Sequence, residues 1–100
     1  MPPLRNETLE DLISLMAGRG FRLSSAAVSP IESFAFRSDE DPRVFVVELQ
    51  DQPSSPVALY KINAYVMDGE RGGLGVLGLS VSDVEEGQLN MKLREMSEHE

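Results

Sequence analysis

Apolar residues recur with two different periods along this chain, and the change comes at Gly20. Before it, Leu9, Leu12, Ile13 and Met16 fall at i, i+3, i+4 and i+7, the spacing of one helix face. That spacing predicts a helix over 7–18 behind an extended lead at 1–6. Thr8 with Asp11, or Asn6, is placed to cap its first turn, and Glu7, Glu10 and Asp11 suit the positive end of the helix dipole. Gly18 and Gly20 supply the stop, with Arg19 near the negative end.

After Gly20 the period becomes two. The stretch 21–25 reads as a short strand or a linker, and Ser29 with Pro30 marks a break. Phe34 and Phe36 then alternate with Ser33, Ala35 and Arg37, and 38–42 is a turn by composition. Phe45, Val47 and Leu49 face one way while Val44, Val46, Glu48 and Gln50 face the other, the clearest strand pattern in the chain. A polar loop at 51–56 leads to the β-rich stretch 57–67. Its two faces are Ala58, Tyr60, Ile62, Ala64 and Val66 against Val57, Leu59, Lys61, Asn63 and Tyr65. Pairing these two strands through their apolar sets brings Glu48 and Lys61 onto one face as a cross-strand ion pair.

The stretch 68–73 is a glycine-rich connection, and 74–80 reads as a buried strand with glycines at close approaches. The stretch 82–87 begins like a capped helix, but Gly87 argues against its continuation. Beyond it, Leu89, Met91 and Leu93 have strand spacing, whereas Leu89, Leu93 and Met96 have helix spacing. Both readings stay open for 88–96, and 97–100 reads as a fraying tail. The expected fold is α+β: an N-terminal helix on a four- or five-stranded antiparallel meander, closed by a C-terminal strand or short helix, within one domain over 1–100.

A chain of 100 residues, 41% hydrophobic, is long enough for one modest core without metal or disulfide. No apolar run approaches the roughly 20 residues of a membrane helix, and no apolar signal-peptide core follows Met1, so the cytoplasm is the expected location. The absence of Cys removes disulfides and thiolate chemistry, and the lone His99 leaves no His triad or multi-His metal site. With 17 acidic and 9 basic residues the net charge is −8, the wrong sign for direct binding to nucleic-acid phosphates or to an anionic membrane. Such acidity fits a ligand of a basic partner, a nucleic-acid mimic, or plain solubility.

Motifs for chemistry are weak. Gly73, Gly75 and Gly78 match the dinucleotide fingerprint as a string, but no helix start follows and too little chain remains for such a domain. No lysine follows the glycines as a phosphate loop requires, and neither Asp39-Glu40-Asp41 nor Asp68 with Glu70 fits the calcium-loop spacing. No cofactor and no metal is therefore expected. Glu48 is the one carboxylate inside a strongly apolar strand, which makes it the candidate acid or base of an alternative enzymatic reading.

Two features remain. Acids gather in the expected turns: Asp39, Glu40 and Asp41; Asp68 and Glu70; Asp83, Glu85 and Glu86. In a meander, alternate turns share one end of the sheet, so two clusters can combine into a negative rim that steers a basic partner. The strands also carry an apolar surplus on their second faces, at Val44, Val46, Leu59 and Tyr65, which one helix cannot cover. The run 72–79, with the overall acidity, loosely resembles small acidic chaperones of type III secretion substrates, whose order is a helix, a meander and glycine-rich hairpin strands. Their central helix has no counterpart in this chain, and the resemblance assigns no residue a role. The leading expectation is a non-enzymatic protein-binding module (adaptor, inhibitor or chaperone-like factor) that uses an apolar sheet face and acidic turns. Its partner is another protein, basic or with an apolar groove, or a second copy of the chain. The alternatives are an acidic mimic that blocks a nucleic-acid-binding protein, and a small enzyme using Glu48.

Overall fold

The computed structural model describes residues 4–27, 31–50, 56–67 and 75–98. Helix α1 (Asn6–Ala17) leads into strands β1 (Arg22–Ala27), β2 (Ser33–Arg37), β3 (Arg43–Leu49), β4 (Leu59–Val66) and β5 (Val76–Glu85). A single 3-10 turn (Glu86–Gln88) then starts helix α2 (Leu89–Glu98). The five strands form one antiparallel meander in the order β1-β2-β3-β4-β5, the expected architecture, with 22–27, open between strand and linker over 21–25, as its first strand. Among the described residues no helix is long and apolar enough to cross a membrane.

The start of α1 differs from expectation. Arg5 occupies the N-cap with no side-chain cap bond. The Thr8 hydroxyl is drawn away to donate to Glu86 Oε2 at 2.6 Å. Asn6 is the first helical residue, so the lead is shorter than expected. The end of the helix follows the glycine signal. Gly20 takes φ 87°, its N–H bonds the Ala17 carbonyl, and the Phe21 N–H reaches the Met16 carbonyl at 2.8 Å. This reversed closure satisfies orphan helix carbonyls and needs a residue without Cβ strain.

The strand register puts the two-residue period to use. Phe36 pairs with Phe45, Phe45 with Ala64 and Ala64 with Leu79, while Phe34, Val47, Ile62 and Val81 form the next row. These rows bury one face of the sheet against Leu12 and Met16 of α1 and Leu89, Leu93 and Met96 of α2, in one cluster. Each such side chain taken out of water contributes on the order of 1.5–3 kcal/mol.

The stretch 88–96, open between strand and helix, is helical. Helix spacing buries Leu89, Leu93 and Met96, whereas a strand would have buried Met91, which is 49% exposed. The helix continues to Glu98 and buries Ser97, so 97 and 98 are helical where a fraying tail was expected; 99 and 100 lie outside the described residues. Strand β5 also differs. It starts at Val76, which is 75% exposed, and it runs through the residues that looked like a helix start. A bulge opposite Lys61 absorbs Ser82 and Asp83, with Asp83 at φ 58°, and returns Val84 to the core opposite Tyr60. Strand β5 forms an outer edge of the sheet, and its first half is largely exposed while Val84 near its end is buried.

Candidate functional site

Both helices pack on the same face of the sheet, so no described helix covers the other. The register lays out this open face in rows across the strands. The row nearest the β2–β3 turn is Arg22, Arg37, Val44, Tyr65 and Leu77. The next is Ser25, Ala35, Val46, Asn63 and Ser80, and the third holds Ala27, Ser33, Glu48 and Lys61.

Three of the four apolar candidates stand at the centre of this face, and Leu59 lies at its far end opposite Glu85. Val44 is only 3% exposed yet stands outside the core cluster, because Arg37 and Tyr65 flank it. Val46, Leu59 and Tyr65 are half-buried, and Leu77 is 50% exposed. A solvated face of an antiparallel sheet ordinarily alternates to polar residues. Here Val44, Val46, Tyr65 and Leu77 stand among the polar residues of those rows. Asn63 is buried among them with its amide satisfied: it donates to Tyr65 Oη at 3.3 Å and accepts from Ser80 Oγ at 2.6 Å. These bonds hold Tyr65 and the middle row in place.

Glu48 and Lys61 are direct cross-strand partners on this face, with Nζ and Oε1 3.2 Å apart. The Glu48 side chain is one-third exposed and lines neither of the two described hollows. One hollow, of about 620 Å³, lies between the α1–β1 turn at Arg19 and Gly20 and the β2–β3 turn at 38–42. The other, about 430 Å³, opens on the arginine row beside Arg22, Arg37, Val44 and Met67.

The acidic candidates divide between the two ends of the sheet. Asp39, Glu40 and Asp41 form the β2–β3 turn, in which the Ser38 hydroxyl accepts from the Glu40 and Asp41 amides at 3.2 Å. Asp83, Glu85 and Glu86 lie at the opposite end, so these two clusters form no common rim. Asp68 and Glu70 fall outside the described residues.

Several of these acids hold neighbours in place. Asp41 grips the Arg43 guanidinium at 2.7 Å, and that hydrogen bond keeps the Asp41 carboxyl below the usual range. The same guanidinium stacks over Phe45 and Phe21 and donates to the Ser97 carbonyl at 3.1 Å, tying the turn to the end of α2. Glu86 accepts from Thr8 and from Arg5 at 2.9 Å, which lowers its carboxyl in turn. Asp39 pairs with Arg22 at 2.9 Å. Asp83 takes the Gln50 side chain on its own N–H at 2.6 Å. Among these acids Glu40 and Glu85 are the exposed ones with no described side-chain partner.

Two functional-looking groups were not visible in the sequence. The first is Glu32, 5% exposed, whose carboxylate accepts from the Leu4 N–H and from the Tyr60 hydroxyl at 3.1 Å. Burial, and then the Glu32 charge, push the Tyr60 hydroxyl well above the usual phenol range. The second is the arginine pair. Arg22 and Arg37 stand directly opposite each other, and among the described residues the Arg37 guanidinium has one hydrogen bond, to the Met67 sulfur at 3.7 Å. Neither group announces itself locally, because each depends on strand register or on a partner far along the chain.

Comparison with protein-family models, curated proteins and solved structures finds no match to this chain.

Proposed function

We propose that this chain is a non-enzymatic protein-binding module of the cytoplasm that docks through the open face of its sheet. One observation carries the reading: both helices cover the same face, and the opposite face presents Val46, Tyr65 and Leu77. Apolar contact there provides affinity, since exposed apolar surface of this kind gains most when water is removed from it. The net charge of −8 adds long-range steering toward a basic surface and sets the on-rate more than the affinity.

The lysines offer a direct test. Lys61 lies on the open face and Lys92 on α2. Amine-reactive cross-linking in an extract of the source cells, followed by mass spectrometry, reads which side meets another polypeptide. Cross-links through Lys61, lost in Val46→Lys, support the reading. Cross-links confined to Lys92 would move the docking surface to the helices and sink it.

A further inference from the structure

The charges on the open face are segregated along the strands. One end carries Arg22 and Arg37 side by side, although like charges directly opposite on neighbouring strands repel. Asp39 answers Arg22 at 2.9 Å, but Arg37 has no carboxylate among the described residues, in a chain with 17 acids and 9 bases. The other end carries Glu48, Asp83 and Glu85 against Lys61. Between them lie small or apolar residues, Ser25, Ala35, Val46 and Ser80, which allow close approach of a second sheet at about 10 Å.

This arrangement is complementary to itself. A two-fold axis along the row Ala35, Val46 and Asn63 reverses the strand direction. It keeps each strand over its counterpart and lays each arginine end over the far end of the other copy, with Arg37 over Ser33 and within a side chain's reach of Glu48 one strand away, and Val46 over Val46. Such a contact closes after two subunits and leaves no open surface to propagate.

We propose that the open face is covered by a second copy of this chain, packed face to face with strands running in opposite directions, so that each Arg37 meets Glu48 of the second copy. The proposal rests on the reading of this face as a protein-docking surface and names its occupant. Arg37 then gains the carboxylate that no described residue of its own chain brings to it, and Glu48 is held between Lys61 and the incoming arginine. Removing one partner of such a buried pair leaves the other charge unpaired, which costs more than breaking a surface ion pair.

Light scattering over a concentration series tests it with charge exchange. Wild type is expected as a dimer. Arg37→Glu and Glu48→Arg, each alone, are expected to raise the dissociation constant at least about tenfold, equivalent to about 1.4 kcal/mol. An equimolar mixture of the two variants restores opposite charges at both contacts and is expected to return to a dimer. Circular dichroism checks that each variant is folded, and Val46→Lys gives an independent break at the centre of the face. A wild type that stays monomeric up to about 1 mM overturns the proposal. If Lys61 still cross-links to a different protein, the docking-surface reading survives that failure. A dimer indifferent to Arg37→Glu, Glu48→Arg and Val46→Lys overturns the second-copy contact, and with Lys61 free of cross-links it overturns the docking reading as well.

Discussion

The backbone N–H of Leu4 sits between both carboxylate oxygens of Glu32, at 2.9 and 2.8 Å. The Tyr60 hydroxyl closes the site from the sheet. A buried carboxylate that satisfies an amide from far along the chain ties the N-terminal segment to the core. Removing it leaves two donors stranded. Glu32→Ala is expected to cost about 3 kcal/mol, and Tyr60→Phe about 1 kcal/mol. Urea unfolding of both variants checks the order.

Helix α2 makes a sharper contrast. Leu93 is fully buried and Met91, two residues before it, is half exposed. Leu93→Ala should lose about 2–5 kcal/mol, and Met91→Ala less than about 0.5 kcal/mol. Equal losses would contradict the helical face described above. Thermal or denaturant midpoints suffice to tell them apart.

That contrast also shows why the C-terminal segment was illegible. Leu89 and Leu93 satisfy both periods, and only the tertiary burial of Met96, with the exposure of Met91, separates them. The first helix was legible because its spacing admits one period and two glycines end it. The Glu48–Lys61 pair was legible because β3 and β4 alternate cleanly enough to set their register. Asp39, Glu40 and Asp41 were legible as turn residues, whereas Asp83 and Glu85 expected in a turn lie in β5 and Glu86 in the 3-10 turn; Arg22 and Arg5 reach their acids only through strand pairing and helix packing, while Arg43 lies two residues from Asp41. Glu32 lay out of reach for the same reason, since its donors come from residues 4 and 60.

Acid should weaken the fold in a defined window. Asp41 and Glu86 titrate below free carboxylates, Asp41 through its hydrogen bond from Arg43, Glu86 through those from Thr8 and then Arg5. Groups lowered in the folded state add stability above their unfolded value, roughly pH 4, and lose it as pH falls through their folded values. Both are partly exposed, so each contributes about 1 kcal/mol or less. The stability difference between wild type and Asp41→Asn should therefore be largest at neutral pH and vanish in strong acid, as read from urea midpoints. A difference that grows on acidification would contradict the assignment.

Two glycines should respond oppositely to alanine. Gly20 needs its left-handed backbone, so Gly20→Ala should cost about 1 kcal/mol. A Cβ at Gly87 meets nothing within 4 Å, so Gly87→Ala should be neutral or gain up to about 1 kcal/mol by restricting the unfolded chain. Differential scanning calorimetry resolves both signs.

If the open sheet face docks, its exposed residues lose contact with water while the outer side of α2 keeps it. Leu77 on that face and Met91 on the outer side of α2 are matched probes, 50% and 49% exposed. Hydroxyl-radical footprinting compares each residue's oxidation in dilute isolated protein with its own oxidation in concentrated protein and in an extract of the source cells. Leu77 is expected to become protected in at least one of these settings while Met91 keeps its rate. Protection of Met91 with Leu77 unchanged would place the docking surface on the helices and contradict docking through the open sheet face.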